Sequence, residues 1–279
     1  MKDKIKERKK EISRRIKEEI SLITSKIKRA PVLLSVKIGE DPSSDVYRKS
    51  LFRLGQKLGI EVVLREGDEA QGKKLIEEGN RDNGIDGIIV HCLRENLLYF
   101  TQLLAPEKDV EGLSPWNLGK LIRGEDALYP ATPLSVLEIL DLLKFDPVGK
   151  RALIIGRSLI VGKPLFLLLL RRHATITVAH SKTRNLKELA LNSELIVVAA
   201  GRAGLLKPDM VREGTLVIDV GINVVKGEIK GDVDPAVGEK AILTPVPGGV
   251  GTFTSYMLFS NLIKSMRRKI EGETGNSAI

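Results

Sequence analysis

The stretch that decides the fold runs from Arg151 to Pro164 and reads RALIIGRSLIVGKP. Leu153, Ile154 and Ile155 form an apolar run short enough for a buried strand, Gly156 breaks it, and Pro164 suits the first turn of a helix. A strand that turns tightly into a helix aims the helix's first backbone amides at the turn, which makes a seat for a phosphate. The spacing matches neither common nucleotide fingerprint. Five residues separate Gly156 from Gly162, unlike GxGxxG, and a P-loop needs four residues and a Ser or Thr after the Lys, where this chain has Pro164. Taken by itself, the stretch fits a nucleotide-cradling turn and a plain buried strand equally well.

Downstream the pattern alternates. A strand is expected over Ala174–His180, a helix over Leu186–Leu191, a strand over Leu195–Ala200, a helix from Pro208, the strand TLVIDVGIN with a hairpin-like VVKGEIKGDV, and a short strand AIL. TPVPGGVG then leads into a last helix carrying Phe253, Met257, Leu258, Leu262 and Met266 on one side, with a loose tail expected from Glu271. Upstream, Ile5, Ile12, Ile16, Ile20, Ile23 and Ile27 repeat at steps of seven, four, four, three and four, predicting one long amphipathic helix.

After Pro31 come the strand VLLSVKIG, the turn residues Asp41 to Ser44 with Ser44 placed to cap a helix running to Gly59, the strand IEVVLRE, a helix over Glu69–Asn80 and the buried strand GIIVHCL. Tyr47, Leu51, Leu54 and Leu58 share a face of that second helix. A short helix is expected over Leu97–Leu104, then a long loop reaching Tyr129, then a helix from Thr132 and Pro133. The βαβ alternation on both sides argues for a two-domain α/β protein.

Charge and composition narrow the partners. A formal charge of +9 favours an anionic ligand, whether nucleic acid, a phosphorylated cofactor or a polycarboxylate, while 4% aromatics argue against single-strand binding by base stacking. Neither a signal peptide nor a membrane span is expected, and the single Cys92 fits a reducing cytoplasm. The predicted second strand of the downstream half ends His180-Ser181-Lys182-Thr183-Arg184 with no acid. A dinucleotide bound there would be NADP, because NAD selection uses an acid on the ribose, and plain exposed loop charges are the equally weighted alternative. Arg157 adds a further cation. Asp219, at the end of a later strand, is either a catalytic candidate or, as such carboxylates more often are, one that fixes a loop. No metal site is expected.

GRSLIVGKP, VIDVGIN and TPVPGGVG, preceded by IDGIIV and PEKDVEG, resemble the methylenetetrahydrofolate dehydrogenase/cyclohydrolase (FolD) family over nearly the whole chain. The resemblance implies a folate-binding βαβ domain over residues 1–132, completed by the C-terminal helix 252–270, a Rossmann-like NADP-binding domain over 133–251, a cleft between them, and a homodimer. It places the cofactor on Gly156, Arg157, Ser158, Ser181 and Ile222, and the folate on Tyr47, Val90, His91, Glu111, Pro247, Gly248 and Gly251, with Tyr47, His91 and Glu111 as the catalytic set. Departures fall on the folate side. Leu51 stands where the family has a Lys, His91 where it has the Gln partnering that Lys, and Glu111 where it has an Asp.

Hydride transfer passes no proton to the protein and tolerates Leu51, whereas ring-opening hydrolysis needs proton transfer. His91 is the candidate substitute in that role, and a merely packed or hydrogen-bonded histidine is the commoner alternative. A non-catalytic NADP- or folate-binding paralogue is the alternative, and a basic nucleic-acid-binding protein rests on charge alone.

Overall fold

The computed structural model describes residues 1–40 and 42–275. The chain forms two compact units, one of residues 1–9 and 132–254, the other of residues 10–131 and 255–279. Asp41, the first residue of the expected turn, lies outside the described residues. Among the described residues no helix is long and apolar enough to cross a membrane.

The unit containing residues 10–131 begins within helix α1 (Lys2–Ile27), formed as the isoleucine spacing predicts: Ile5, Ile12, Ile16, Ile20 and Ile23 are all buried. Strands β1 (Val32–Ile38), β2 (Glu61–Gly67) and β3 (Gly87–His91) make a parallel sheet ordered β2-β1-β3. Helices α2 (Pro42–Leu58) and α3 (Glu69–Arg81) are the crossovers. Asp68 and Gln71 close a capping box at the start of α3. The core on the sheet gathers Leu34, Val36, Ile38, Ile76, Ile88, Val90, Phe100 and Leu104.

Helix α2 lies in a slightly different rotation from the one expected. Its buried stripe is Ser44, Arg48, Leu51, Gly55 and Leu58, at steps of four, three, four and three, with Tyr47 and Leu54 at the margin. Gly55 explains the setting, since a Cβ there would lie 2.5 Å from Val62 and 3.0 Å from the carbonyl of Ile60. Ser44 is inside the helix, not ahead of it, and so does not cap it.

Three further expectations are corrected in this unit. Strand β3 stops at His91, and helix α4 spans only Leu97–Thr101. The expected long loop contains a helix, α5 (Pro115–Arg123), capped by Ser114, begun by Pro115 and ended by Gly124 in the left-handed region at φ 74°. That punctuation suits a loop as well, but Ser-Pro before and Gly after an apolar repeat is also how a short helix is delimited.

The other unit runs through α6 (Ala131–Leu142), β4 (Arg151–Ile155), α7 (Gly162–Arg171), β5 (Thr175–Ala179), α8 (Leu186–Leu191), β6 (Leu195–Val198) and β7 (Leu216–Asp219). After these come the hairpin β8 (Asn223–Val225) and β9 (Glu228–Lys230), and then β10 (Ile242–Leu243). The helix expected from Pro208 is a single 3-10 turn, Pro208–Met210. The five-stranded sheet is all parallel in the order β10-β7-β6-β4-β5. Strand order reverses at β4, so the loops leaving β4 and β6 diverge and open a crevice at the strands' carboxyl ends.

Helix α9 (Gly251–Gly275) contributes residues 255 onward to the first-described unit. It continues through Glu271, where a loose tail was expected, and residues 276–279 lie outside the description. Buried Asn261 donates from Nδ2 to the carbonyls of Val110 and Tyr129, 2.8 Å each, and Ser265 donates to the carbonyl of Glu107. These bonds satisfy the backbone of the 107–130 segment, which has few ladder partners of its own.

Candidate active site and cofactor turn

The turn between β4 and α7 is built by two glycines that tolerate no side chain. A Cβ on Gly156, at φ 135°, would sit 2.2 Å from the carbonyl oxygen of Ala199, and one on Gly162 would sit 2.2 Å from that of Gly156. The five residues between them arch back so that α7 begins directly beside the end of β4. Ser158 holds the arch: its carbonyl accepts from Lys163 N at 3.0 Å and its Oγ from Val161 N at 3.1 Å. The residue preceding α7, Val161, supplies no side-chain cap; of the helix's first amides, Lys163 N is taken by the Ser158 carbonyl and Leu165 N by that of Val161, and Pro164 has none. Arg157 is exposed.

At the end of β5 a tight turn forms in which Thr183 N donates to the His180 carbonyl, His180 N to Thr183 Oγ1, and Lys182 N to His180 Nδ1. Ser181, Lys182 and Arg184 stay exposed on it, with no carboxylate among residues 180–184. This is a place for a phosphate and a poor one for a bare ribose diol.

Two buried aspartates, one of them unnoticed in the sequence, tie the remaining strand-end loops together. Asp219 accepts from Gly221 N, Asp232 N and Val233 N at 2.9–3.0 Å, which is the loop-fixing role its position suggested. Asp232 accepts from Ala200 N, Gly201 N, Arg202 N and Asn223 Nδ2 at 2.6–2.8 Å. Burial holds the Asp219 carboxyl above its ordinary value, with the three amides opposing it and the Asp232 charge adding to it. Beyond Asp219 a cavity of about 230 Å³ is lined by Gly221 and Ile222 on one side and by Pro247, Gly248, Gly251 and Thr252 on the other. It joins three expected contact residues of the PGGVG loop to Ile222, which is 67% exposed. Val246–Pro247 is a cis peptide and Gly248 has φ 102°.

In the other unit, Tyr47, Val90, His91 and Glu111 come from three different elements. Val90 and His91 end β3, where both are buried, and the Tyr47 ring meets the His91 ring edge-on with centroids 5.9 Å apart. Tyr47 is hydrogen-bonded to Ser255 of α9. Burial, and next the Glu111 carboxylate, hold its phenol well above the ordinary range. Glu111 follows a bridge that pairs Asp109 with Ile88, so the segment is laid along the edge of β3.

Burial, with neighbouring Asp109 second, pushes the Glu111 carboxyl up to about 8, so it carries a proton at neutral pH. Asp109 keeps one oxygen on Ser114 N at 2.7 Å and Asn117 Nδ2 at 2.9 Å. Its other oxygen is buried without a hydrogen-bond partner among the described residues. Leu51 is fully buried apolar packing.

Sequence reasoning missed two polar residues under this cluster. Ser35, in the middle of an apolar strand, has its Oγ 3.0 Å from His91 Nε2, and Arg48 Nε donates to the same Oγ at 3.4 Å. Ser35 is fully buried and Arg48 is 5% exposed. Arg48 is further held by Glu66 at 3.2 Å and by the Arg65 carbonyl at 2.9 Å. The signal was a lone hydroxyl in VLLSVKI facing a cation on the buried stripe of α2.

Residues 4–111 match the model of the tetrahydrofolate dehydrogenase/cyclohydrolase catalytic domain, and residues 130–270 that of the family's NAD(P)-binding domain. The chain belongs to the tetrahydrofolate dehydrogenase/cyclohydrolase family. It is 41% identical to the bifunctional protein FolD of Dictyoglomus thermophilum over 266 residues, 92% of this chain and 94% of that one. Among solved structures, the bifunctional FolD enzyme of Campylobacter jejuni superposes with a TM-score of 0.88 at 36% identity, covering 94% and 96% of the two chains. The Trypanosoma brucei enzyme, solved with NADP and an inhibitor, gives 0.87 at 30%, covering 94% and 95%. The glycine turn and sheet order are thus those of the family's NAD(P)-binding domain, and the Tyr47, His91 and Glu111 cluster lies in its catalytic domain.

Proposed function

We propose that the protein is an NADP-dependent 5,10-methylenetetrahydrofolate dehydrogenase whose hydrolysis of the methenyl product is slow. The observation that carries this is the family match over both units together with a phosphate turn whose β5 end offers hydroxyl and cationic groups and no acid. In the reaction a C–H bond of the methylene bridge breaks, its electron pair and hydrogen pass to the nicotinamide, and the folate is left as the methenyl cation. No protein proton is required, so the task is alignment. Gly156, Arg157, Ser158 and Ser181 would hold the phosphates and Ile222 would lie at the nicotinamide. Tyr47 and Val90 would pack on the folate, with Pro247, Gly248 and Gly251 forming its border.

Hydrolysis adds water to the methenyl carbon, opens one C–N bond and releases a proton overall. With Leu51 apolar and buried, no ammonium group is present at that position to help. Glu111, protonated at neutral pH, is the group with a proton to give, and Tyr47 and His91 complete the reacting face. Losing a positioned acid or base costs about 10²–10⁴-fold, which is the expected deficit in hydrolysis relative to hydride transfer. The family assignment and the single Cys92 support a homodimer working in the cytoplasm.

The burial of Leu51 favours a second reading, a paralogue that binds NADP and folate without turnover. A spectrophotometric assay of NADPH formation with methylenetetrahydrofolate separates the two. Turnover well above about one per minute is expected, and a rate far below it at saturating folate selects the binding reading.

A further inference from the structure

Four charged side chains with no part in the chemistry above meet on the sheet face that carries His91. Lys37 on β1 lies in register with His91 on β3 and with Glu66 on β2, and residues in register across a parallel sheet send their side chains to one face. Helix α2 brings Asp45 and Arg48, one turn apart, onto the same face. Lys37 Nζ donates to both Asp45 carboxylate oxygens at 2.9 Å, and Arg48 Nη1 lies 3.7 Å from Asp45 and 3.2 Å from Glu66. Cation and carboxylate thus alternate through three elements, in the order Lys37, Asp45, Arg48, Glu66.

The cations are the covered members of this chain. The Lys37 and Arg48 side chains are 14% and 6% exposed, whereas Asp45 is half-buried and Glu66 exposed. An ammonium and a guanidinium that have given up most of their water need a carboxylate close by, and Asp45 serves both. Asp45 stands in the first turn of α2, two residues before Tyr47, whose ring meets that of His91. Two residues along a helix turn the side chain by about 200°, so Asp45 and Tyr47 leave α2 on opposite flanks of its buried stripe. A tie on one flank sets the roll of the helix and with it the seat of the ring on the other.

We propose that Asp45 is a positioning residue: by neutralising Lys37 and Arg48 together it seats the first turn of α2 on the sheet and so sets the Tyr47 ring against His91 for packing on the folate. The inference deepens the folate-site reading above. Its kinetic part rests on that reading, and its ring geometry does not.

The test uses the full-length protein and nuclear Overhauser contacts between the Tyr47 and His91 ring protons. The chain has three histidines and four tyrosines, so the signals lost in His91→Gln and Tyr47→Leu identify the pair. A cross-peak is expected in the native protein and in Lys37→Arg, which keeps the charge. It should weaken in Asp45→Asn while circular dichroism stays native, and also in Lys37→Met, which removes the same tie from the other side and serves if Asp45→Asn does not fold. Absence of the cross-peak from the native protein overturns the proposal without any variant, as does full intensity in Lys37→Met.

In the dehydrogenase assay Asp45→Asn should raise the KM for folate roughly tenfold, the worth of one hydrogen bond to a charged group, with kcat and the KM for NADP little changed. In a Lys37→Met background the same substitution should add less than about threefold, because the cation that most needed the carboxylate is gone. Independent, multiplying effects of the two substitutions, or equal rises in both KM values, remove the positioning role. A native protein with the expected cross-peak but no NADPH formation instead defeats the dehydrogenase reading, and the ring measurements then decide the role of Asp45 by themselves.

Discussion

Glu111 shows how burial changes the electrostatics of a site. Its carboxyl is pushed to about 8 by burial, with Asp109 adding to the effect, so between its ordinary value of 4.5 and about 8 the folded protein keeps a proton that the unfolded chain releases. The stabilising difference is complete below pH 4.5 and is lost as pH rises through 8, so this group makes the protein less stable toward alkaline pH. Glu111→Gln should match the native protein near pH 5 and exceed it near pH 9 by on the order of a few kcal/mol in denaturant melts, flattening the profile between. At the residue scale the sequence was legible where chemistry is local. Tyr47, His91 and Glu111, named by the family resemblance, are brought together by the fold, whereas Ser35 and Arg48 carry no motif. Their pairing depends on how α2 is rotated over β1, and that is set by the close approach at Gly55, a tertiary fact with no local mark.

Elements were easier to place than their functions. The isoleucine repeat and the alternating runs located α1 and the strands because burial on one side imposes a period. Helix α5 was hidden because Ser, Pro and Gly punctuate loops and helix ends alike. The C-terminal helix shows what a contact distant in sequence contributes. Asn261 Nδ2 satisfies two carbonyls, of Val110 and Tyr129, beside the segment that carries Glu111. Asn261→Leu keeps the volume and orphans both acceptors, so a loss of about 2–4 kcal/mol is expected in urea unfolding, with folate KM rising in the variant that remains folded.

For the whole molecule, charge bears most directly on ligand capture. A chain of formal charge +9 with Arg157, Lys182 and Arg184 exposed near the phosphate turn should attract polyanions before contact, and salt should weaken that attraction. The KM for NADP should rise with potassium chloride more steeply than that for NAD, and Arg157→Ala should reduce the difference in slope. Equal salt dependence for the two cofactors would show that these cations do not meet the extra phosphate. The basic composition, which alone also suits a nucleic-acid-binding protein, is consistent with the small anionic ligands of the proposed function.

The reciprocal carboxylates Asp219 and Asp232 give the loops above the larger sheet an unexpected rigidity. Each occupies the space beside a glycine of the opposite strand end, with Gly221 abutting Asp232 and Gly231 abutting Asp219. Amide hydrogens at Ala200, Gly201, Arg202, Gly221 and Val233 lie outside strands, yet they should exchange with deuterium as slowly as strand amides and be released together, in one opening event, when either carboxylate is removed. A lip that opened only as a whole would present a ligand arriving there with a preformed mould, so that little ordering would remain to be done once it was seated.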